Sequence, residues 1–143
     1  VDKEIYIGKK INILSHGVHR KIAKEASKYG LTGVQARILG FLNRETKIRS
    51  IFQKDIEEEL DTRRSSVTSV LQLMEKNGYI ERVSVCEDAR LKKIILTDKG
   101  TEIQDKVYSY ILEFEKSLRD ELSNEELEIL TELIDRLMKK IAD

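Results

Sequence analysis

Apolar positions in the first thirty residues recur every three or four steps, at Ile7, Ile11, Leu14, Val18, Ile22 and Ala26, with lysines and arginines in the intervals. That period predicts an amphipathic helix from Ile5 to Tyr29. "YGLT" then offers a stop at Gly30 and a cap at Thr32, opening a second helix through Ile38, Leu39 and Leu42. "NRETKIRSI" reads as a polar connection, and "FQKDIEEEL" as a short third helix with Ile56 and Leu60 on its inner side. In "RRSSVTSVLQLMEKNGYI", Val67, Val70, Leu71 and Met74 share one helix face, and Gly78 stands where a left-handed residue ends a helix. The opposite face carries Ser65, Ser69, Gln72 and Lys76, with Thr68 on its flank.

The period then drops to two. Tyr79 to Val85 and Leu91 to Leu96 alternate and are rich in β-branched residues, which predicts a two-stranded hairpin. Its connection lacks Asn-Gly or Asp-Gly, so a longer, projecting loop is expected, with Glu87, Asp88, Arg90, Lys92 and Lys93 held out at the hairpin tip. Helical spacing returns after Thr97, a capping residue, with Val107, Ile111, Phe114, Leu118 and Leu122. Ser123 and Glu126 have the spacing of a capping box. The last helix sets Leu127, Leu130, Ile134, Leu137 and Ile141 at alternating steps of three and four, the spacing of a seam that packs on another helix. The fold class expected is mainly α with a small β-hairpin, α+β.

Composition narrows the function classes. With 143 residues the chain suits one domain with appended helices, and the absence of proline agrees with long helices. No run reaches the roughly 18 apolar residues of a membrane span. Lys9 and Lys10 interrupt what would be a signal-peptide core, so a cytoplasmic protein is expected. Cys86 is the only cysteine, which rules out an internal disulfide and a cysteine-based zinc site within one chain.

Net charge is zero but unevenly spread. Residues 1–48 hold ten Lys/Arg against four Asp/Glu, and residues 101–143 hold six against twelve. Residues 62–96 hold seven against four, so a local positive patch is compatible with a neutral chain.

A short helix, a turn, a second helix with small polar residues outward, and a charged hairpin make a winged helix-turn-helix. A helix fits the major groove of B-DNA. Ser65, Thr68, Ser69 and Gln72 would reach base edges, while Arg63, Arg64, Lys92 and Lys93 would contact phosphates. Arg90 would enter the minor groove, held by Asp88 through a charge-assisted hydrogen bond. Two such modules on half-sites one helical turn apart would supply the specificity that one lacks, so a homodimer is expected.

From about Leu31 to Gly100, "LTGVQARIL", "FQKDIEEEL", "RRSSVTSVLQLMEKNGYIER" and "EDARLKKIILTDKG" follow in an order and spacing that resemble the MarR family of winged-helix transcription regulators. The resemblance implies a winged helix-turn-helix over residues 31–100, flanked by dimerisation helices in 1–30 and 101–143. It implies a recognition helix from Arg63 to Asn77 and a wing pair of Asp88 and Arg90. It also implies a homodimer on a pseudo-palindromic DNA operator, acting as a ligand-responsive repressor. The turn departs from the family's Leu-Gly pattern: Leu60-Asp61-Thr62 requires Asp61 to adopt the conformation that glycine usually supplies.

The remaining chemistry is sparse. His16 and His19 have metal-compatible spacing without a third ligand nearby, so no metal or other cofactor is expected. These two, with Arg37 and Tyr108 and flanked by Tyr29 and Tyr110, are candidates to border an effector cavity. Cys86 reads as a strand residue rather than a redox switch, because Glu87 and Asp88 would raise a thiol pKa. No nucleophile motif and no phosphate-binding glycine loop is present, so an enzyme is not expected. The competing reading is a helical dimerisation protein that never touches DNA. It would have no use for a Ser/Thr/Gln stripe beside an arginine-bearing hairpin.

Overall fold

The computed structural model describes residues 4–85 and 88–142, without the side chains of residues 88 and 89. The elements run α1 (Ile7–Ser27), α2 (Gly33–Glu45), α3 (Gln53–Leu60), α4 (Arg64–Lys76), β1 (Ile80–Val85), β2 (Asp88–Leu96), α5 (Asp98–Asp120) and α6 (Asn124–Ile141). They form two compact units that divide between Tyr108 and Ser109, inside α5.

The first unit is built around α2, α4 and the hairpin. Ile38, Leu39 and Leu42 of α2, Ile56 of α3, Val67, Leu71 and Met74 of α4, and Ile80 and Ile94 of the strands are almost wholly buried. These are the positions that helical and alternating spacing assign to one side of each element. Val70, expected with them, is only half-buried. The boundaries come from local chemistry. Thr32 and Gln35 cap α2 reciprocally, the Thr32 hydroxyl accepting from the Gln35 N–H at 3.2 Å and the Gln35 side chain from the Thr32 N–H at 3.0 Å. Gly30 and Gly78 stand at φ 75° and 81°, after α1 and α4.

Asp61 ends α3 at φ 49°, ψ 51°. It is the one non-glycine residue with positive φ among those described, in the place where the sequence requires a glycine-like turn.

The hairpin differs from expectation at its tip. Strand β2 begins at Asp88, ahead of the expected Leu91, and Asp88 pairs with Val85. The cause is a register shift between Ser84 and Val85: Ser84 faces Lys92, and residues 89–91 are the extra length of β2 across it. Arg90 therefore lies within the strand, not on the tip of a loop. The expectations for Cys86, Glu87 and the Asp88 side chain lie outside the described residues.

The N–H of Ile94 donates to the Ile51 carbonyl at 2.7 Å, tying the α2–α3 connection to the sheet edge. At the other end, the Thr97 hydroxyl donates to the Gly78 carbonyl at 2.6 Å and accepts from the Gly100 N–H at 3.0 Å. It thereby joins the end of α4 to the start of α5.

In the second unit, α6 opens on the expected capping box, with the Ser123 hydroxyl accepting from the Glu126 N–H at 3.1 Å and the Glu126 carboxylate from the Ser123 N–H at 2.9 Å. That backbone hydrogen bond holds the Glu126 carboxyl below its ordinary pKa. No residue of α6 is buried, and Leu130, Leu133, Ile134 and Leu137 are each 41–44% exposed. In the first unit the N-terminal half of α1 is equally bare, with Ile7, Ile11 and Leu14 exposed.

Candidate nucleic-acid interface

Helix α4 presents the polar face that its spacing predicts. Ser65, Ser69 and Gln72 are exposed, as is Lys76 one turn further on, whereas Val67, Leu71 and Met74 anchor the other side. The Ser69 hydroxyl donates back to the Ser65 carbonyl at 3.2 Å, which leaves its oxygen able to accept. Leu73 adds an apolar surface to this side of the helix, 49% exposed.

Thr68 differs from its neighbours. It is half-buried, its hydroxyl donates to the Arg64 carbonyl at 2.8 Å, and the same oxygen accepts from Gln53 Nε2 at 2.7 Å. Its donor is committed inside the fold. Gln53, the first residue of α3, thus holds α3 and α4 together at their N-terminal ends.

Arg63 is the residue before α4 and carries no side-chain cap, so the first N–H groups of the helix have no side-chain acceptor there. Arg63 is exposed beside Lys54, Asp61 and Thr62 on a shallow surface. Arg64 instead lines a cleft of about 530 Å³ between the start of α3 and the hairpin.

Arg90, Leu91, Lys92 and Ile94 of β2 line that cleft together with Arg82 of β1, which pairs with Ile94. Lys93 lines another hollow, with Lys47, Arg49 and Ile95. The two lysines that the sequence offers as equivalent phosphate contacts therefore lie on different faces of the hairpin.

The α2–α3 connection is pinned by Arg49, which reaches the Asp55 carboxylate at 3.0 Å and Glu45 at 3.6 Å. The hydrogen bond to Asp55 raises the guanidinium pKa above its ordinary value. Asp55 in turn accepts the Phe52 N–H at 2.8 Å, fixing the start of α3.

Arg82, Lys54 and Gln53 were not anticipated. Their signal was present but indirect: a Gln-Lys pair at the start of a helix, and an arginine two residues after Ile80 on the same side of a strand.

The effector candidates are not brought to one place by the cavities described. Arg37 lines a cavity of about 130 Å³ with Val34, Ile38, Leu60, Ser66 and Val70, between α2 and α4. His16, His19 and Tyr108 do not line that cavity and are all exposed.

Residues 29–91 match the MarR family. The chain is 29% identical over 126 residues to the HTH-type transcriptional regulator PecS of Dickeya dadantii, covering 88% of this chain and 76% of that protein. It is 27% identical over 130 residues to the HTH-type transcriptional regulator PapX of Escherichia coli, covering 88% and 79%. Among solved structures, the transcription regulator MarR of Oenococcus oeni superposes with a TM-score of 0.76 at 28% identity, covering 93% of this chain and 98% of that one. The Staphylococcus aureus MepR–DNA complex superposes with a TM-score of 0.89, covering 97% and 100%; at 24% identity that likeness speaks for the fold.

Proposed function

We propose that this chain, whose residues 29–91 match the MarR family, is a sequence-specific, dimeric transcription regulator that represses its targets and releases DNA when a small molecule binds. The relatives named above are transcriptional regulators, and one of the similar solved structures is a complex with DNA.

One observation carries the reading. The exposed Ser65, Ser69 and Gln72 face of α4 stands in the same unit as a cleft lined by Arg64, Arg90 and Lys92. Small polar side chains on the outer face of a helix suit base edges in the major groove, and flanking cations suit phosphates. Ser65, Ser69 and Gln72 are the base readers in this reading, Thr68 supports them through Gln53, and Arg90 tracks the minor groove.

Dimerisation is supported by the apolar stripes of α6 and of the N-terminal half of α1, exposed in the single chain. Seams of this spacing are normally covered by another helix. Two copies would set recognition helices about 34 to 36 Å apart on a pseudo-palindromic operator. An effector acts on such a dimer only by binding one spacing of the recognition helices better than the other. Among the described residues no helix is long and apolar enough to cross a membrane, which is compatible with work on cytoplasmic DNA.

Selection of bound fragments from random duplex DNA tests the reading directly. The expected product is one enriched motif with inverted half-sites. Recovery of fragments without any shared motif would favour the alternative of a helical interaction protein.

A further inference from the structure

Among the described residues, the cleft between α3 and the hairpin is lined by five cationic side chains, Lys54, Arg64, Arg82, Arg90 and Lys92, and by one acidic one, Glu57. The whole chain has no net charge, so this clustering is local. Like charges gathered on one concave wall raise the potential inside it and draw an anion.

Arg82 adds a more specific argument. Its Nε and Nη2 atoms are shielded from solvent and have no hydrogen-bond acceptor among the described residues. Oε1 of Glu75 stands 3.9 Å from Nε, beyond hydrogen-bond reach. Buried donors without acceptors are rare in folded proteins, and Arg82, whose side chain is 22% exposed where it lines the cleft, is a cation there with unmet donors. The cations beside Arg82 in the cleft are donors too, so none of them answers that need. Independently, α4 starts at the cleft without a side-chain cap, and uncapped first-turn N–H groups favour a negative group near them.

We propose that this cleft seats a phosphodiester of the duplex backbone, with Arg82 and Lys54 as phosphate contacts beside the recognition helix. The inference rests on the DNA-binding reading above and extends it to two residues outside the recognition helix and the wing tip. Arg82 belongs to the strand that pairs with the wing, and Lys54 to the first turn of α3. A backbone held at both would fix the depth at which α4 enters the groove. Free inorganic phosphate shares the chemistry, so the experiment separates the two sources.

The test measures affinity for an operator duplex and for an unrelated duplex across a salt series, using the full-length dimer, Arg82→Gln, Arg82→Lys and Lys54→Ala. Each phosphate contact contributes a slope of about 0.9 in log K against log salt. Arg82→Gln and Lys54→Ala should each flatten the slope by about that amount and weaken both duplexes alike, while Arg82→Lys should restore most of it. Lys54 is exposed, so its variant stays informative if Arg82→Gln folds poorly. Wild-type slopes in Lys54→Ala and in a folded Arg82 variant overturn the phosphate seat while leaving the regulator reading intact. A wild-type protein that binds no duplex overturns that reading, and the seat with it. Thermal melting of the wild type with millimolar inorganic phosphate completes the comparison. Marked stabilisation that Arg82→Gln abolishes, with salt slopes unchanged, assigns the cleft to a free anion and overturns the proposal.

Discussion

The side-chain amide of Gln53 donates to the hydroxyl of Thr68 across 2.7 Å, joining the first turn of α3 to the second turn of α4. Fifteen residues separate them along the chain, and this contact ties α3 to α4. Gln53→Ala and Thr68→Val should each cost about 1 kcal/mol, the net worth of such a hydrogen bond. The double variant should cost clearly less than the sum, because both remove one interaction. Urea denaturation of the four proteins reads this, and additive costs would deny the link.

Gly100 is close to the Tyr79 carbonyl, and a Cβ there would overlap that oxygen. The glycine that closes "LTDKG" thus allows α5 to start against the end of α4. Gly100→Ala should destabilise by roughly 1 to 3 kcal/mol through overpacking, lowering the melting temperature. Gly8, where nothing lies within 4 Å of an added Cβ, should accept alanine without loss and serves as the control.

Features encoded by neighbours along the chain were legible in advance. Gly30, Gly78 and Asp61 break helices through their own backbone preferences, Thr32 and Ser123 cap through side chains three residues away, and all five stand where the sequence puts them. Features set by contacts across the fold were not. The register shift between Ser84 and Val85 brings Asp88 to Arg90 into β2, which no local pattern announces. The commitment of Thr68 depends on Gln53, and the surroundings of Arg82 on a cleft lined by α3, α4 and both strands. Lys92 and Lys93, adjacent in sequence, are separated by strand alternation.

Asp61 holds a left-handed backbone that favours glycine. Asp61→Gly should relieve strain at the turn and leave stability unchanged or raised by up to about 1 kcal/mol, the gain offset by a more flexible unfolded chain. Asp61→Val, with a branched side chain in the same conformation, should cost about 1 to 2 kcal/mol. Chemical denaturation of the pair gives the sign, and a more stable valine variant would mean that the turn is not held as described.

Ser69 and Gln72 stand exposed on the outer face of α4, and if they read base edges their loss should be felt at particular positions of the site. Ser69→Ala and Gln72→Ala should each relax preference at one base pair per half-site, worth about 1 to 3 kcal/mol of discrimination. Binding to a panel of single-base operator variants measures it. Equal weakening across the panel would place these residues on the backbone instead.

The bare face of α6 gives the last expectation. Leu130 and Leu137 are 44% and 41% exposed, spaced seven residues apart on one side of the helix. Such a stripe is stable in water when a second helix covers it, and a carboxylate placed in its middle would have to be desolvated on association. Leu137→Glu should therefore shift the protein toward monomer in sedimentation, and with it abolish the concentration dependence that the wild-type melting temperature should show. A monomer contacts one half-site, so operator affinity should fall far more than binding to an isolated half-site. A Leu137→Glu protein that remains dimeric, with operator affinity intact, would assign the subunit interface to other residues.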